Sequence, residues 1–372
     1  MALRRSWFRN AAVALLVVSI VETIAGAVRS PRDAALAFLV TYVAVLSVVL
    51  GVLAMTMIAH LTTATWFRPF RPHATRVLRV LPLLAGLGLL LLLALPAVFP
   101  WVYGSEPASD IRRYLNVPFF VVRFVIYWTA WLWIASALGA ADRIATAGDV
   151  VRATDRYRRV SVVGLMVLGL TTTFASFDWM MSVTPDWSST IYGVVWFAGG
   201  MVGALALLAL LAWKDANRHA FSLISADDLD SLGKLLLTFI LFWLYTGFAQ
   251  YIVIWSGGLP REVTWYVART RGGWGGLAVA LLFAGFVFPF LVLLVREARR
   301  SFAVVAMVSL VLLAVHYLDA LWIVMPGAIS PSWWTLLLAI ATLVIVLVAV
   351  ARWGGHTVER WSSGTVERTS GG

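Results

Sequence analysis

The stretch AALAFLVTYVAVLSVVLGVLAMTMIA, Ala34–Ala59, decides the fold. It runs for 26 residues without a charged side chain. About 20 apolar residues are enough for a helix to cross the hydrocarbon of a bilayer. Nine further blocks of this kind follow from the sequence, at about 11–28, 77–99, 118–140, 160–180, 189–212, 235–256, 277–295, 302–325 and 333–351. A backbone in lipid must satisfy its own hydrogen bonds, which leaves helices or closed barrels. Barrel strands would alternate in segments of about ten residues, and no such alternation is visible. The expectation is an all-α, polytopic integral membrane protein with about ten transmembrane helices over residues 1–353. The Ser-, Gly- and Thr-rich residues 354–372 read as a disordered cytoplasmic tail.

Composition agrees. Of 372 residues, 61% are hydrophobic, against about 45–50% in soluble domains. There is no cysteine, so this chain offers no disulfide, thiolate zinc site or iron–sulfur ligation. The net charge of +11 does not point to nucleic acid, because the arginines lie in short loops and form no basic domain. They orient the chain instead. With the N-terminus inside, 21 of the 29 Lys and Arg fall on the cytoplasmic side and 7 outside, and Arg123 lies within a span. Both termini are then cytoplasmic. The run after Arg4, Arg5 and Arg9 could be read as a signal peptide. At about 18 residues it exceeds the usual core of 7–15, which favours a retained first span. Trp66, Trp101, Trp187, Trp255, Trp265 and Tyr266 sit near block ends, as interfacial aromatic residues do. The Gly- and Trp-rich stretch Pro260–Gly276 reads as an outer loop lying flat on the membrane surface.

Ionisable groups inside spans are costly, about 2.5–3.5 kcal/mol each at a helix centre, and so need partners or water. Glu22, His60, Arg123, Asp178, His316 and Asp319 are of this kind, with Gln250 beside them. Counting from block ends places Glu22, Arg123, Asp178, Gln250 and Asp319 in the outer leaflet. His316 and Asp319 are three apart and share a helix face. His60 stands alone at the inner end of its span. The expectation is one polar chamber on the periplasmic side. The plain alternative is that Arg123 neutralises Asp178 or Asp319 as structural glue. Met180 and Met181 read as packing. His60 and His316 lie on opposite sides, which argues against a bis-histidine haem.

One segment carries a resemblance. SFDWMMSVTPDWSSTIYGVVWFAGG, Ser176–Gly200, resembles the signature of the NrfD/PsrC-like membrane subunits of alternative complex III, a quinol:cytochrome c (or other acceptor) oxidoreductase. HLTTATW (His60–Trp66), YLNVPFFVVRFVIYW (Tyr114–Trp128), FAQYIVIWSGGLPREVTWYVARTRGGW (Phe248–Trp274) and HYLDALWIVMP (His316–Pro326) agree in order and spacing. The likeness is nearest to the second quinone-binding-type subunit (ActF-like). The chain departs from the pattern at Asp186, where His is frequent, at Thr63, and at Ser256-Gly257-Gly258. An outer-face His could have bound or deprotonated a quinol, so Asp186 weakens direct quinol oxidation by this chain.

The resemblance implies two four-helix bundles, the second to fifth and sixth to ninth spans, flanked by the first and tenth. It implies the bacterial inner membrane. The implied partners are a homologous NrfD-like subunit, an iron–sulfur/molybdopterin-like protein and a multihaem cytochrome c. A non-covalently bound quinone, menaquinone or ubiquinone, is the expected cofactor, with no haem or metal on this chain. Asp178 and Asp319 are then candidate proton acceptors with Arg123 tuning them, and His316 and Gln250 candidate head-group or relay partners. Glu22 and His60 would lie along the proton path. A secondary transporter and a purely structural anchor remain alternatives. Transporters break spans near the midplane, and Pro289 is the one real candidate for a break.

Overall fold

The computed structural model describes residues 21, 24–26, 28–103, 109–216 and 224–326. Glu22, nearly all of the span expected at 11–28, the span at 333–351 and the tail lie outside the described residues. Among the described residues there is no β-strand, and eight helices are long and apolar enough to cross a membrane. These are α1 (Pro31–Leu61), α2 (Thr65–Leu93), α3 (Val117–Thr146), α4 (Val150–Trp179), α5 (Tyr192–Ala216), α6 (Ala226–Gly257), α8 (Gly273–Leu294) and α9 (Phe302–Val324). Between α6 and α8 lies a short helix, α7 (Pro260–Thr270).

Most helices outrun their apolar blocks, because a helix needs lipid-compatible side chains only where it meets lipid. Asp149 caps α4 by accepting from the Arg152 N–H at 3.0 Å. Ten helical residues precede the block that begins at Val160. A capping box between Ser225 and Asp228 starts α6 nine residues before its block. Gly258, at φ 63°, ends α6 in the left-handed conformation that glycine adopts without strain.

The helices α1 and α5 form the centre. The most apolar stretch of α1 is 89% buried and that of α5 72%, against 22% for α6 and α8. In lipid, helix association depends on close packing and not on expelling water, and small residues make that possible. A Cβ on Gly200 would stand 2.6 Å from the Ser47 carbonyl oxygen, and one on Gly51 2.5 Å from that of Gly200. Around this pair, α4 packs on α1 and α3 on α4, while α6 and α9 pack on α5. The outer faces of α3, α4 and α6 present exposed Val122, Leu170, Tyr245 and Val253, which suits a lipid-facing surface.

Two local departures matter below. The α8 helix keeps its course through a π-turn at Phe283–Val287. The Pro289 ring would press on the carbonyl four residues back, that of Gly285. The π-turn relieves this, and the Phe288 N–H reaches Phe283 O instead. Thus the expected mid-span break is a bulge in a continuous helix. The second departure is at 260–276, expected as a loop. Its first part is α7, with Trp265, Tyr266 and Arg269 buried.

Candidate functional site

The polar residues expected in one chamber occupy three separate settings. The first is between α3 and α4. Asp178 is 1% exposed. It accepts from Arg123 Nε and Nη2, each at 2.7 Å, and from the Tyr127 hydroxyl at 2.7 Å. Arg123 also donates from Nη1 to the Tyr114 carbonyl at 3.0 Å. Its guanidinium lies 3.9 Å from the Tyr114 ring centroid and 4.3 Å from that of Phe119. Bidentate geometry with a third donor saturates the carboxylate. Arg123 and Asp178 thus form a buried ion pair.

The second setting is toward the C-terminal end of α6. Gln250 accepts from Ser189 Oγ at 2.9 Å and donates to the Tyr266 hydroxyl at 3.0 Å. This chain ties the loop before α5 to α6 and α7. Burial pushes the Tyr266 phenol up to about 12, so it stays a hydroxyl at neutral pH.

The third setting is built on α9 where it crosses α1, α5, α6 and the π-turn of α8. Gly199 and Gly203 of α5 leave room for the His316 ring. A Cβ on either would lie 3.3–3.4 Å from it. The ring passes between helices to α1, where Nε2 lies 3.1 Å from the Ala44 carbonyl and 2.9 Å from Ser47 Oγ. A carbonyl can only accept, so the contact with Ala44 calls for the hydrogen on Nε2, and in that tautomer Nδ1 presents a lone pair. His316 Nδ1 is buried with no hydrogen-bond partner among the described residues. One turn on, Asp319 is 8% exposed. It accepts one hydrogen bond, from Trp243 Nε1 at 3.1 Å. No cation pairs with it among the described residues. His316, Asp319, Trp243, Gly199 and Gly285 line one small cavity.

The volume of that cavity decides what it can hold. It offers about 10 Å³ to water-sized molecules, close to the minimum for a single water. Ligand pockets take about 300–1,000 Å³, so a quinone ring does not fit here. A groove of that size, about 510 Å³, lies instead along the outside of α7, between Trp255 and Arg271.

At the opposite end, His60 is not alone. Its ring stacks on Tyr157 at 4.1 Å, and the Tyr157 hydroxyl donates to Asp142 at 2.5 Å while Asp142 pairs with Arg71 at 2.6 Å. His73, passed over in the sequence, stands 3.7 Å from Asp215, which Arg76 also approaches at 3.4 Å. Asp230 is clasped by Lys234 at 2.6 Å and Arg299 at 2.8 Å. These ion pairs gather where the arginine-rich loops do. Met180 is packing, 2% exposed in the core.

Two contributors escaped the sequence reading. Ser47 is an unremarkable serine in an apolar run until the fold brings His316 to it. Arg269 was counted among loop arginines, although Pro260 at the first position and Glu262 in the first turn are helix-start signals. Among the described residues, no group of three or more His, Asp or Glu could hold a metal ion. Compared with known proteins, the chain matches no protein-family model and no curated protein, and what stands is a polytopic helical fold of membrane type.

Proposed function

We propose that this chain is an NrfD/PsrC-like membrane subunit of a respiratory quinol:acceptor oxidoreductase of the alternative complex III kind, and that its part is to carry protons. In this reading it has ten spans in the bacterial inner membrane, with both termini cytoplasmic. The helices α1–α4 and α5, α6, α8, α9 are the two four-helix bundles. The partners are a second NrfD-like subunit, an iron–sulfur protein and a multihaem cytochrome c.

One observation carries the proton role. Among the described residues, a buried carboxyl without a cationic partner and a buried imidazole whose Nδ1 has no hydrogen-bond partner face one cavity of about the volume of a single water. A water there can donate to Nδ1 and exchange a proton with Asp319. A purely structural pair would be saturated, as Arg123–Asp178 is. The π-turn beside the cavity supports the reading, since such turns recur at functional sites.

The test is Asp319→Asn in the assembled complex, with quinol oxidation and proton release followed together. The expected result is that electrons still reach the acceptor while protons released per electron fall. An unchanged proton yield would sink the proposal. A second reading, quinone binding by this chain, is favoured by the groove beside Trp255 and Arg271, whose volume suits such a ring. Loss of a photoreactive quinone's labelling on Trp255→Leu would support it.

A further inference from the structure

Arg269 is 1% exposed, the most deeply buried cation among the described residues. It has no carboxylate partner there. Its three hydrogen bonds go to backbone carbonyls: Nε to Trp322 at 3.1 Å, Nη1 to Trp265 at 2.9 Å and Nη2 to Ile323 at 2.5 Å. The guanidinium lies 3.2 Å from the Trp265 ring centroid. Trp265 in turn stacks on Trp187 at 4.2 Å with the planes 12° apart. Burial pushes the guanidinium down to about 9, which leaves it cationic at neutral pH.

Its position along α9 gives this cation a consequence. Trp322 and Ile323 follow Asp319 by three and four residues, so the carbonyls that hold Arg269 lie about one turn farther along α9 than Asp319. Arg269 covers the end of α9 under α7, with the Trp265 and Trp322 rings beside it and Trp187 stacked behind Trp265. We infer that Arg269 is an electrostatic barrier that blocks protons from passing between Asp319 and the α7 end of the bundle, so that Asp319 exchanges protons only from the His316 side. This rests on the proton-path reading above. Fixed arginines are known to exclude cations from pores in the same way.

The plain account is a helix cap, since a cation on the last carbonyls of a helix is favourable. A cap needs only a donor, and an exposed one suffices. Holding an arginine between tryptophan rings with no acid beside it costs desolvation that a cap does not require. At an effective dielectric near 20, a fixed unit charge about 10 Å from a proton's path slows it on the order of tenfold.

The measurement is passive proton entry into liposomes holding the full chain, with an internal pH dye and a potassium diffusion potential. Arg269→Met should raise proton entry by roughly tenfold or more, while Arg269→Lys, which keeps the charge, should stay near wild type. Potassium and sodium permeability should not change. If Arg269→Met fails to fold, Arg269→Gln, which keeps a donor without the charge, decides in the same way. A neutral variant as proton-tight as wild type overturns the barrier, as does one that leaks potassium equally. Adding Asp319→Asn separates the two ideas. A leak it abolishes supports both, whereas a leak that persists keeps the barrier and overturns the route through Asp319.

Discussion

Arg123–Asp178 and His316–Asp319 look alike as sequence: each joins an acid within a span to a basic side chain. In the fold they are opposites. Asp178 receives three hydrogen bonds, two from a guanidinium and one from Tyr127. Asp319 receives one, from a neutral indole, and its basic neighbour His316 turns its bonded nitrogen away toward α1. Removing one partner of a saturated buried pair strands the other charge. An unsaturated site has little to lose in stability and has unused valence for a proton. In a membrane interior, the count of donors around an acid separates holding from exchanging more sharply than its depth.

The difference can be broken by mutation. The largest effect is expected for Arg123→Met, which leaves Asp178 buried without its cation and should cost about 3–5 kcal/mol, read as thermal unfolding in detergent. The double change with Asp178→Leu should recover most of that loss. Tyr127→Phe removes one bond to the charged group and should cost about 1.5–3 kcal/mol in the same assay. Gly200→Ala, which forces a methyl against the Ser47 carbonyl, should cost about 1–3 kcal/mol. The smallest stability effect belongs to Asp319→Asn, under about 1 kcal/mol, because the amide oxygen still accepts from Trp243. Should Asp319→Asn destabilise as much as Arg123→Met, the contrast between the two sites collapses.

Much of this was legible in the residues. Seven of the eight candidate spans among the described residues were readable to within about ten residues at each end, because apolar length is set by the bilayer. The segmented start of α2 at Thr65 was not, since Trp66–Arg76 carries loop-like charge. Pro289 marked the irregularity of α8, although only the backbone shows a bulge and not a break. His316 and Asp319 were paired by their spacing. Their separation from Asp178 and Gln250 was not readable, because equal depth on five helices says nothing of which way each helix is rotated. Arg269 was hidden by its surroundings, where glycines and tryptophans suggested a loop.

By itself, the sequence determined that the chain is helical and membrane-like, how many apolar blocks it carries, and that acids and an arginine lie inside them. Those properties follow from composition and length, which lipid reads directly. Tertiary structure alone decided which acid is saturated and which is left open, that His316 reaches Ser47 across a glycine face, and that a guanidinium closes one end of α9. Those depend on helix rotation and on contacts between residues up to 272 positions apart, and no local pattern encodes them.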